Sequence, residues 1–164
     1  MKYKNIVLSI VLMLISILIH FTHIVVDNFP LYMTLFSIIP IYIISRNDPS
    51  IGILAYICAF MIIFLLDYYE GLIFILLNGL LGIFLGMLSH YINKKLLISI
   101  ITSVVLFISI NGIMIITNYT NIYIQSLNIL LLQFSIFIIS IIISLTSLII
   151  CDYIYNKVLL IKSL

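Results

Sequence analysis

Few side chains in this 164-residue sequence could do chemistry, since it holds three histidines, five acids and seven lysines or arginines. His20, His23 and Asp27 follow i, i+3, i+7 and share one face of a helix. Such a face could move a proton or begin a metal site. Neither an H-E-x-x-H arrangement nor cysteines at ligand spacing accompany it, so no metal is expected. Asn78, Asn111 and Gln133 stand alone inside apolar runs, where an amide either binds a solute or joins helices at about 0.6 kcal/mol each. The stretch Asp67-Tyr68-Tyr69-Glu70-Gly71 sets two acids beside two aromatic rings. Asp67, Tyr69 and Glu70 could gate a cavity for a small cationic or aromatic solute, or serve as interfacial residues. A Ser/His/Asp constellation, a Walker-type loop and a dinucleotide fingerprint are all missing. Enzyme chemistry and a cofactor are therefore not expected, and no basic surface suits nucleic acid.

The elements that must position these groups follow from composition. Hydrophobic residues make up 65% of the chain and charged ones 7%, against roughly 25% charged in soluble domains. Mean hydropathy is +1.42, and isoleucine alone accounts for 41 residues. A water-soluble fold is excluded, and membrane lipid is the expected surrounding. Short polar interruptions leave six apolar segments, about 5–26, 29–45, 51–66, 72–92, 96–117 and 129–150. In hydrocarbon only helices or closed barrels satisfy the backbone, and these runs lack the alternation of barrel strands. The expected fold is an all-α integral membrane protein, a six-helix transmembrane bundle forming a single domain. Segments two and three are short against the roughly 30 Å hydrocarbon core and must gain length from their flanks. Pro40 should kink segment two. Lys2 and Lys4 before the first run resemble a signal peptide, but no small-residue cleavage site follows, so the run is read as a spanning helix. Cys58 and Cys151 fall too far apart to pair.

Charge placement sets the orientation. With both termini cytoplasmic, Lys2, Lys4, Arg46, Lys94, Lys95, Lys157 and Lys162 all lie inside, while Asp27, Asp67 and Glu70 lie outside, as the positive-inside rule requires. In this frame His20, Asn78 and Asn111 lie roughly 9–10 Å below the outer ends of their helices, with Gln133 about 3 Å shallower. These four could line an outward polar cavity, with the loop Asn118 to Asn128 as a second gate, or act as interhelical glue. The inner halves hold serines instead.

Small residues form two stripes, Gly52, Ala55 and Ala59 on the third helix and Gly79, Gly82 and Gly86 on the fourth. Stripes of this kind bring helices together in lipid, within the chain or against a partner subunit. The stretch Ile39-Pro40-Ile41, Ser45-Arg46, Gly52, Gly71 and the run Asn78 to Gly86 before Lys94-Lys95 resembles the membrane substrate-binding subunits (S-components) of energy-coupling factor transporters over residues 30–95. The resemblance implies six helices, an outward cavity for a vitamin-type micronutrient, and a transmembrane coupling subunit with two ATPases on other chains. The alanine-x-x-x-alanine face expected on helix one is absent there, and the only such pair is Ala55 and Ala59. The chain is also similar in length and in its several short spans to the MreD family of rod-shape proteins, which implies a scaffold of the cell-wall machinery. Of that family's glycine-rich run, only Asp67 has a counterpart. An immunity-type protective protein is a further reading of a small multi-spanning chain.

Overall fold

The computed structural model describes residues 2–25, 31–116 and 129–162, with side chains over 6–22, 34–115 and 131–157. Asp27, the His23 side chain and the loop from Asn118 to Asn128 lie outside the described residues. Every long element is helical: α1 is Lys2–Val25, α2 is Ile38–Asn47 led by a 3-10 stretch Leu31–Ser37, and α3 is Pro49–Leu66. Then α4 runs Tyr68–Tyr91 with a π-helical turn at Phe74–Asn78, α5 is Lys95–Ile116 and α6 is Ile129–Lys162. Four of these, α3 to α6, are long and apolar enough to cross a membrane.

Two aspartates make the turns abrupt. Asp48 accepts from the backbone N–H groups of Ser50 at 3.0 Å and Ile51 at 3.2 Å, and Pro49 follows as the first residue of α3, where a missing N–H costs nothing. Asp67 accepts from Glu70 N–H at 3.0 Å and starts α4 in the same way. The expected loop Asp67 to Gly71 is thus one linking residue followed by the first turn of α4. Pro40 stands in the first turn of α2, where the chain passes from 3-10 to α geometry, so the missing donor marks a change of helix type. At the other end α6 runs on to Lys162, well past residue 150, because Cys151 to Lys162 holds neither glycine nor proline.

The short helix α2 is the centre of the bundle. Ile41, Tyr42 and Ser45 are wholly buried, and Ile38, Ile43 and Ile44 nearly so, as expected of a helix apolar on all sides. It packs against α1, α3, α4 and α6, most extensively against α4. Three glycines permit this. A Cβ at Gly52 of α3 would lie 2.6 Å from Ser45 Cα, one at Gly82 of α4 2.9 Å from the Ile38 carbonyl oxygen, and one at Gly86 2.7 Å from the Tyr42 carbonyl oxygen. Ala55, Ala59 and Gly79 are buried as well, Gly79 against the rings of Tyr56 and Phe74. Both small-residue stripes therefore face into the chain, so the contacts they make are intramolecular. The 3-10 stretch also answers the shortness of segment two. Its seven residues rise about 2.0 Å each and the ten of α2 about 1.5 Å each, about 29 Å of reach together.

The remaining surface is greasy. Leu54, Leu65, Ile108, Leu131 and Phe134 are all more than half exposed, a pattern suited to lipid tails rather than water. We expect Gly86→Leu to destabilise the protein in detergent by about 3 kcal/mol or to prevent folding, since its side chain meets backbone that cannot yield. A Cβ at Gly112 would meet nothing within 4 Å, so Gly112→Ala should be neutral or stabilising by up to about 1 kcal/mol. Thermal melting of the two variants checks both.

Candidate functional site

Polar groups gather at the two ends of α4. From Glu70 to His90 that helix covers about 30 Å, close to the hydrocarbon thickness.

At the Glu70 end, His20 of α1 is completely buried and its Nε2 lies 2.9 Å from Glu70 Oε2. The same nitrogen is 3.2 Å from the Glu70 carbonyl oxygen. Both neighbours are acceptors, so geometry assigns the proton to Nε2 as donor. The Phe74 ring packs edge-on against the imidazole, centroids 5.5 Å apart. Phe74 opens the π-helical turn and Asn78 closes it. Widening a helix to π geometry loosens its carbonyl ladder, and the Tyr56 hydroxyl donates to the Ile75 carbonyl at 2.6 Å inside that turn. Asn78 Nδ2 donates to Thr34 Oγ1 at 3.1 Å and to the Thr34 carbonyl at 3.3 Å. Thr34 belongs to the 3-10 stretch, so Asn78 fastens one irregular segment to the other. Ser16 adds a bond from α1 to the Ser37 carbonyl at 2.9 Å.

Asn111 and Gln133 form a pair of their own between α5 and α6. Gln133 Nε2 donates to Asn111 Oδ1 at 2.8 Å, while Asn111 Nδ2 donates to the Phe107 carbonyl at 2.9 Å. The residues expected to share a depth thus resolve into three bonded groups: His20 with Glu70, Asn78 with Thr34, and Asn111 with Gln133. Asp67 is half-buried and engaged in capping α4, whereas Tyr69 is 71% exposed with its ring edge against Tyr68.

The Arg46 end carries a network that sequence reasoning missed. Asp152 of α6 is buried, and its Oδ1 accepts from the Tyr42 hydroxyl at 2.7 Å and from Arg46 Nη1. Its Oδ2 meets Lys95 Nζ at 2.5 Å. The Arg46 guanidinium also lies over the Tyr155 ring, 4.2 Å from its centroid, and the Tyr155 hydroxyl donates to Asn47 Oδ1 at 2.9 Å. His90 Nδ1 donates to the Arg46 carbonyl at 2.8 Å. One carboxylate thereby joins α2, α5 and α6 directly, and α4 through Arg46. Asp152 sits just past the expected end of the last span. Its signal was the serine stripe Ser140, Ser144, Ser147 and Cys151, which runs straight up to it.

Cys58 is exposed and Cys151 buried, both as free thiols. Among the described residues no group of three His, Cys, Asp or Glu side chains could hold a metal ion. No family model, curated protein or solved structure matches the chain.

Removing one partner of a buried ion pair costs about 3–5 kcal/mol. Arg46 is 23% exposed at its side chain, so Asp152→Ala should fall at the low end of that range, about 3 kcal/mol. Lys95, 64% exposed, belongs to the surface class, and Lys95→Gln should cost no more than about 1 kcal/mol. Denaturant or SDS titration of micelle-embedded variants gives both values, and equal losses would refute the ranking.

Proposed function

We propose that the chain is a six-span protein of the cell membrane with both termini cytoplasmic, acting as the small-solute-binding subunit of a transport system of S-component type. Arg46, Lys94, Lys95 and Lys157 lie towards one end of the bundle and Asp67 and Glu70 at the other, which under the positive-inside rule supports a cytoplasmic Arg46 end. The 29 Å or so reached by α2 with its 3-10 stretch supports counting it as a crossing.

The observation that carries the functional reading is the meeting of the 3-10 and π-helical segments beside His20, Asn78 and Thr34. Irregular backbone at membrane depth is tolerated where it is enclosed by protein or faces a cavity, π-turns concentrate at functional sites, and interrupted helices build the solute sites of transporters. Here a buried imidazole, a carboxylate, an amide and a hydroxyl converge on those segments. A micronutrient entering from the Glu70 end would exchange the His20–Glu70 and Asn78–Thr34 bonds for bonds to itself. Asp67 and Tyr69 would gate that entry, and the Asn111–Gln133 pair, which joins α5 to α6, would add further polar lining. In this reading the chain performs no reaction of its own. Energy comes from a coupling subunit and ATPases on other chains, and the coupling subunit docks away from Ala55 and Ala59, which the fold encloses.

A thermal-shift screen of the purified protein against water-soluble vitamins and their precursors tests this. One compound class should raise the melting temperature, and Glu70→Gln and Asn78→Leu should each weaken that shift by tenfold or more in solute concentration. A shift that survives both substitutions, or none with any compound, would overturn the proposal.

A further inference from the structure

The start of α5 carries an electrostatic imbalance that solute binding does not explain. Helix N-termini bear about half a positive charge and favour acidic neighbours. The helices α3 and α4 obey this, each beginning after a capping aspartate. Instead α5 begins at Lys95, directly after Lys94. Asp152 answers Lys95. Arg46 has Asp152 and the Tyr155 ring, and Lys157 lies over the Tyr153 ring at 4.9 Å. Among the lysines and arginines whose side chains are described, Lys94 alone has neither an acidic nor an aromatic partner among the described residues.

Beside it lies a shallow, open depression on the first two turns of α5, lined by Lys94, Lys95, Leu96, Leu97, Ile100 and Ile101. All six residues are exposed, and the four apolar ones cover the first turns of α5 directly beyond the lysines. A floor of leucine and isoleucine beneath two ammonium groups is complementary to one kind of occupant, an amphiphile with an anionic head and a hydrocarbon tail. Free phosphate would leave the floor unused, and a zwitterionic lipid would leave Lys94 unbalanced.

We infer that this depression is a binding site for one anionic phospholipid of the leaflet at the Arg46 end. Its phosphate sits at Lys94 and Lys95, and its first acyl methylenes lie along Leu96, Leu97, Ile100 and Ile101. Basic residues at this level attract anionic headgroups by about 1 kcal/mol each, or about fivefold in affinity. A bound phosphate would balance the start of α5 without competing for Asp152, which holds Lys95 from the inner side.

Native mass spectrometry of delipidated protein, titrated with dioleoyl phosphatidylglycerol or dioleoyl phosphatidylcholine, reads the site directly. One phosphatidylglycerol should be retained in preference to phosphatidylcholine. Lys94→Gln should lower its occupancy about fivefold with an unchanged melting temperature, Lys157→Gln should leave it unaltered, and inorganic phosphate should not displace it. Equal retention of the two lipids, equal effects of the two lysine substitutions, or displacement by inorganic phosphate would each overturn the inference.

Discussion

The enclosure of a ten-residue helix by its neighbours is the constraint on which the rest of the molecule depends. For α2 to be buried on all sides, the backbones of α3 and α4 must come within a methyl group's width of it, which only glycine at positions 52, 82 and 86 allows. In lipid such approach replaces the hydrophobic drive that assembles soluble cores, since tails are as apolar as leucine. The gain is dispersion between closely packed surfaces. Its requirement is a helix short enough to be surrounded, and the 3-10 stretch supplies the remaining length.

Enclosure also explains where the polar groups are. A helix embedded at the centre needs its ends fixed, and each end of α2 has its own fastening. Before it, Thr34 and the Ser37 carbonyl receive bonds from Asn78 and Ser16. At its end, Tyr42 and Arg46 converge on Asp152, and Asn47 binds Tyr155. The two fastenings differ in kind. The first is made of neutral groups, next to the His20–Glu70 pair. The second is a buried charge with several donors, where loss of one member leaves the others stranded. The two ends of α2 are therefore held by different means, neutral hydrogen bonds at one and a shared carboxylate at the other.

Much of this was legible in the residues and some was not. The apolar runs could be read because polar interruptions are so sparse, and His20, Asn78, Asn111 and Gln133 stood out as polar side chains within them. Their partners did not follow. Thr34 and Glu70 lie 44 and 50 residues from Asn78 and His20, and one-dimensional spacing on a helix says nothing about which helix lies opposite. The acids at 48 and 67 look like loop residues until capping is weighed, when each becomes the first residue of a turn with no loop at all. Asp152 escaped because a span was ended where polarity began, although nothing between Cys151 and Lys162 halts a helix. The small-residue stripes and the second apolar run were both visible, but not that the stripes close around that run, because α2 bears no stripe itself.

The central claim is that α2 is held from all sides and cannot move apart from the bundle. Amide hydrogen exchange in lipid nanodiscs, followed as denaturant is raised, measures this directly. The amides of Ile41 to Ser45 should exchange only through global unfolding, with the same denaturant dependence as those of Gly82 to Leu85. Exchange of α2 by a local, denaturant-independent opening while α4 stays protected would contradict the account.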